Sequence, residues 1–131
     1  MATNQALAPE SKVMVWVGRV ISALPVLMLL MSATMKLMRS PEVIKGFANW
    51  PANTALALGI TELVSTILYI IPQTAVLGAI LLTGYLGGAV AHHVRLGEPI
   101  WIPALLGVLV WLGLYLRDAR VRALAPLRRL D

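Results

Sequence analysis

Leu77–Arg95 reads LGAILLTGYLGGAVAHHVR, an apolar run that holds four glycines and one tyrosine and closes on His92-His93-Val94-Arg95. At about 1.5 Å per residue it is long enough to cross a hydrocarbon core of about 30 Å. It is also too rich in glycine for helix propensity alone to hold it. Gly84 and Gly88 are four residues apart, as are Gly87 and Ala91. That spacing lets helix backbones approach closely in lipid, where contact rather than hydrophobicity drives association. The stretch therefore predicts the central, most enclosed helix of an integral membrane bundle, with Gly84, Gly87 and Gly88 as its packing surface.

Composition supports this reading. The chain is 59% hydrophobic and 13% charged, with a mean hydropathy of +0.80. Soluble domains hold about 45–50% apolar and about 25% charged residues. A length of 131 residues leaves room for a single domain and no separate soluble catalytic module. The formal net charge is +5, yet five of the eleven basic residues fall in the last fifteen positions, beside an apolar segment. Basic residues so placed meet anionic headgroups, which argues against a nucleic-acid partner. The chain has no cysteine, which excludes thiol relays, cysteine nucleophiles and thiolate metal ligands.

Outward from the opening stretch, the pattern predicts an all-α integral membrane four-helix bundle. Its spans cover about 13–37, 54–71, 74–94 and 100–116, flanked by a polar tail (1–12) and an arginine-rich tail (117–131). Pro25 lies inside the first span. Ser40-Pro41-Glu42 has the form of a cap with proline at the first helical position, which predicts a short interfacial helix over Pro41–Phe47. Four spans put both termini on one side. That side would hold seven basic residues (Lys12, Arg19 and five tail arginines) against Lys36, Arg39, Lys45 and Arg95 on the other. The bias predicts cytoplasmic termini in a bacterial inner membrane. Trp16, Tyr69 and Tyr115 are expected near the inner face, and Trp50 and Trp101 near the outer.

Glu62 is the most informative single residue. It sits about 12 Å into its span, where a carboxylate costs a few kcal/mol and must face the bundle. It reads either as an ion-pair anchor between helices or as a ligand or proton site. Depth along the spans places Ser32, Lys36, Tyr85 and His92 or His93 where they could share one pocket with it, open to the outer leaflet. Adjacent histidines point apart on a helix, and with one distant glutamate they do not spell a metal site. No residue pattern identifies a catalytic group.

Five segments together resemble the DoxX-like membrane proteins. They are Ser32–Leu37 (SATMKL), Gly59–Leu63 (GITEL), Ile71–Ala79 (IPQTAVLGA), Leu82–Gly97 and Leu106–Asp118 (LGVLVWLGLYLRD). In the fourth, the family pattern of a polar residue, histidine, an apolar residue and arginine puts the family histidine on His93. His92 is then this chain's own variation. The resemblance implies a small four-span bacterial membrane protein. Relatives are associated with quinone-linked sulfur oxidation, with oxidoreductase assemblies answering oxidative stress, and with chaperoning of other membrane proteins. The expectations that follow are an accessory bundle binding a quinone or lipid beside a redox partner, a quinone-linked oxidoreductase subunit in which Glu62, Tyr85 and His93 move protons, or a chaperone or partner subunit. A quinone is the one cofactor these expectations include, and the sequence leaves homo-oligomerisation and enzymatic activity open.

The charge bias is directly testable because the chain lacks cysteine. A single cysteine at Ala2 or Ala125 is expected to be shielded from an impermeant thiol reagent in intact cells, and one at Ala48 to be labelled. Labelling of both termini from outside would reverse the orientation.

Overall fold

The computed structural model describes residues 11–125 and residue 130. Among these residues the chain is all-helical. In order it forms α1 (Lys12–Leu37), α2 (Pro41–Gly46), α3 (Thr54–Ile70), a 3-10 turn (Pro72–Thr74), α4 (Ala75–Leu96), α5 (Trp101–Arg117) and α6 (Ala119–Leu124). Local chemistry sets several of the ends. Ser11 Oγ accepts from Met14 N and Ser40 Oγ from Val43 N, each at 3.4 Å, satisfying amides that have no partner within the helix. Pro41 opens α2 at a position where a missing N–H costs nothing. Gly97 closes α4 with φ +70°, and the Glu98 amide returns to His93 O at 2.9 Å.

The four long helices close a ring in which α1 packs on α3 and α5, and α4 packs on the same two from the other side. Leu29, Ala33, Leu82, Val110 and Leu114 fill its centre. So do polar groups: Glu62, Ser65, Thr66 and Ser22 are buried as well. The outward faces are the reverse, with Val20, Leu24, Leu27, Ile60, Val64, Ile80, Leu81, Leu105 and Val108 exposed. A bundle in water puts polar residues outside and apolar residues within. This distribution suits a hydrocarbon solvent, and α1 and the Pro72–Leu96 segment are long and apolar enough to cross one.

Close helix contact does not occur at Gly84, Gly87 and Gly88. A Cβ added at any of the three would meet nothing within 4 Å, and all three lie on the exposed side of α4. The buried stripe of α4 is Ala75, Gly78, Ala79, Leu82 and Leu86, on the opposite face, so α4 is not the enclosed centre of the bundle. Spacing alone marks a smooth helix face without saying which way that face turns. The close approaches fall at other glycines. A Cβ on Gly18 would lie 2.7 Å from Arg117 N, and one on Gly113 would run into Ser22 Oγ. Gly18 and Ser22 are themselves four apart, so α1 and α5 meet across a small-residue surface. A Cβ on Gly78 would collide with the backbone of Tyr69, which holds the turn from α3 into α4 tight. Tyr69, in the last turn of α3, is fully buried, with its hydroxyl 2.6 Å from Val110 O and 3.0 Å from Ser22 Oγ, so it ties α3 to α5 and α1.

These contacts reverse the order of sensitivity that the small-residue spacing suggests. Gly113→Ala is expected to destabilise the protein by about 1–3 kcal/mol through overpacking against Ser22. Gly88→Ala meets open space and improves helix propensity by up to about 1 kcal/mol, so its melting temperature should equal or exceed that of the wild type. Thermal melts in one detergent check both. A larger loss at Gly88 than at Gly113 would contradict the packing described.

Candidate functional site

Ser32 and Lys36 stand four residues apart on the last turns of α1, so both side chains lie on one face. That face meets α3 at Gly59 and Glu62, three residues apart on their own helix. Gly59 makes the approach feasible, because a Cβ there would lie 2.9 Å from Lys36 Cβ. Tyr85 reaches in from α4. All three donors converge on one oxygen. Glu62 Oε2 accepts from Lys36 Nζ at 2.9 Å, from Tyr85 OH at 2.9 Å and from Ser32 Oγ at 3.2 Å. Lys36 Nζ also donates to Ser32 Oγ at 2.6 Å and lies 5.8 Å from the centre of the Tyr85 ring. Thr66 Oγ1 returns its proton to Glu62 O at 2.7 Å, which leaves the carboxylate to the groups across the interface.

Glu62 is 1% exposed and the Lys36 side chain 13%. A lone carboxylate so deep would be strongly unfavourable, whereas a charge that is paired and hydrogen-bonded can be kept. The pair is therefore both an inter-helix tie and a polar spot of nearly zero net charge. It forms part of the wall of a cavity of about 310 Å³ whose other walls are apolar: Met28, Met31 and Met35 from α1, Leu86 and Ala89 from α4, Ile102 and Leu106 from α5. Val43 of α2 lines the same cavity, which places the short helix over its Lys36 end. A larger groove of about 650 Å³ runs between α4 and α5 past Gly87, Gly107 and Trp111. It touches none of the four polar residues, and α4 and α5 are tied across it by Trp111 Nε1 donating to Thr83 Oγ1 at 2.7 Å. Chemistry therefore directs attention to the smaller cavity.

The structure brings Ser32, Lys36, Glu62 and Tyr85 together and places His92 and His93 elsewhere. The His92 ring stacks on Phe47, with centroids 6.4 Å apart and planes within 9°, and tilts against Trp50 at 5.4 Å. His93 Nδ1 lies 2.8 Å from Pro99 O and 3.9 Å from Glu98 Oε2. Arg95 adds its guanidinium over the Trp50 ring at 6.0 Å. The end of α4 thus docks the long connection between α1 and α3, and neither histidine lines the Glu62 cavity. Among the described residues no three His, Asp or Glu side chains converge as a metal site would require. The sequence alone assigns no part here to Gly59, whose role depends on where α1 crosses α3, or to Phe47 and Trp50, which only the docked connection brings to His92.

Coupling across the cluster is measurable. Glu62→Ala is expected to cost about 3–5 kcal/mol, because it leaves a partly buried lysine and two hydroxyls without their acceptor. Glu62→Gln keeps an acceptor oxygen and should cost less. Combining Glu62→Gln with Lys36→Met should cost less than the sum of the single changes by about 1 kcal/mol or more. Melting curves of the five proteins in one detergent test this. Strict additivity would mean that the two side chains do not meet.

No curated protein and no solved structure matches the chain. A family model does. That of the DoxX-like family matches residues 20–113, a segment that contains all four members of the cluster. The match covers well over half of the sequence, so this chain, a helical membrane protein with a buried ion pair beside an apolar cavity, belongs to the DoxX-like family.

Proposed function

We propose that the Glu62 cavity binds a neutral lipophilic molecule with a hydrogen-bonding head, a quinone or a lipid of similar polarity, and that the protein serves as the accessory, non-catalytic part of a membrane redox or stress-response system. The observation that carries this reading is the pairing of Lys36 with Glu62 at 2.9 Å within an otherwise apolar wall. Opposite charges that cancel leave no net charge to attract an ion, yet the Lys36 ammonium, with two of its three N–H groups given to Glu62 and Ser32, keeps one for a carbonyl oxygen. Few polar groups set in a largely apolar wall are the usual build of a lipophile site. A volume of about 310 Å³ suits a ring or compact head, with a longer tail leaving among the exposed methionines Met28 and Met31. In this reading the chain is one domain that crosses a bacterial cytoplasmic membrane four times with both ends inside, and its partner is another membrane protein.

Proton transfer to a bound quinone through Glu62, Tyr85 and His93 receives less support. Glu62 and Tyr85 touch, but His93 is held at the turn after α4, against Pro99 O.

The test is extraction in a mild detergent, followed by mass spectrometry of the organic phase and equilibrium dialysis with a short-chain benzoquinone. A copurifying neutral lipophile is expected, with benzoquinone affinity about tenfold weaker in Lys36→Met, equivalent to the loss of one hydrogen bond of about 1.4 kcal/mol. A protein that carries only detergent and binds the probe equally well with and without Lys36 would overturn the reading.

A further inference from the structure

At the opposite end of the bundle from Lys36 lies a second cavity, of about 350 Å³, between α1, the last turn of α3 and the end of α5. Among the described residues its two charged wall side chains are both arginines, Arg19 and Arg117. Both fall outside the segment 20–113 that matches the family model. Arg117 is fixed rather than loose. Its Nη2 donates to Tyr69 O at 2.9 Å, and its guanidinium lies 4.7 Å from the centre of the Tyr69 ring. That ring is itself immobilised by the Val110 and Ser22 contacts of its hydroxyl. The Nε of Arg117 is buried and has no hydrogen-bond partner among the described residues. Arg19 is exposed and lies 5.0 Å from the centre of the Trp16 ring. Among the described residues no carboxylate forms an ion pair with either arginine, and Asp118, next in the chain, accepts instead from Arg120 N at 2.9 Å.

We propose that this cavity holds the phosphate of an anionic phospholipid. The charge balance favours an anion. The C-terminal ends of α3 and α5 each bring roughly −0.5 of a charge, against two full positive charges from the guanidiniums. Planar guanidiniums with free N–H groups match the oxygens of a phosphate better than any other side chain does. A lipid, as opposed to free phosphate, is favoured by the rest of the wall, where Val26 and the exposed Ile70 continue into the apolar outer surface. Exposed Trp16 sits beside the cavity, as aromatic residues do at the level of headgroups. The protein then has two dissimilar sites, a charge-neutral one at the Glu62 end and a cationic one at the Arg117 end.

The test uses the full chain, delipidated by detergent exchange and titrated with dioleoylphosphatidylglycerol, dioleoylphosphatidylcholine or inorganic phosphate. A rise in melting temperature is expected with phosphatidylglycerol alone. Native mass spectrometry should show one phosphatidylglycerol retained by the wild type. Arg117→Gln removes the bond to Tyr69 O and risks the fold, so Arg19→Gln, at an exposed position, carries the test. It should reduce retention about tenfold and abolish the thermal shift, as the loss of a charge-assisted contact implies. Arg120→Gln, which removes an exposed positive charge three residues further on, in α6, should leave both unchanged. Equal stabilisation by phosphatidylcholine or by inorganic phosphate, equal losses in Arg120→Gln, or undiminished retention in Arg19→Gln would each overturn the proposal.

Discussion

The carboxylate of Glu62 is the constraint around which the bundle is arranged. Placed eight residues into an apolar helix, it must be met by donors from other helices, and three of them reach the same oxygen. Ser32 and Lys36 come from α1 and Tyr85 from α4, so satisfying one charge orients α3 against both neighbours at once. In lipid the apolar side chains discriminate weakly between a helix partner and an acyl chain. A buried ion pair discriminates strongly, since any arrangement that separates Lys36 from Glu62 strands a charge.

The opposite end of the bundle is held differently. There Tyr69, fully buried, reaches α1 and α5 through its hydroxyl, while its own carbonyl is taken by Arg117. Gly18 and Gly113 let α1 and α5 come close enough for those bonds to form, and Gly78 lets the start of α4 lie against the Tyr69 backbone. Polar ties fix the register of the helices, and glycines supply the proximity that the ties require. Each depends on the other, because a hydrogen bond of 2.6 Å between helices cannot be made across an added methyl group.

The two ends also differ in what they offer a ligand. At the Glu62 end positive and negative charges meet, and the remaining wall is aliphatic and methionine-rich. At the Arg117 end the charged side chains of the wall, among the described residues, are both arginines. A neutral amphiphile suits the first and an anion the second, and that contrast follows from charge placement alone.

Several features were legible from the residues themselves. Hydropathy and glycine or proline punctuation depend on local sequence, so an all-helical chain, the short helix after Ser40 and the turn at Pro72 could be read directly. Depth along a span follows from counting at a fixed rise per residue, which is why Ser32, Lys36 and Tyr85 could be named as groups able to reach Glu62. What counting cannot supply is rotation about the helix axis and the crossing of one helix over another. Those decided that Gly84, Gly87 and Gly88 face outward while Gly18, Gly59, Gly78 and Gly113 make the contacts. They also put His92 against Phe47 and Trp50 instead of Glu62, and turned Tyr69 inward. A spacing of four residues defines a face, and only packing against neighbouring helices determines what that face meets.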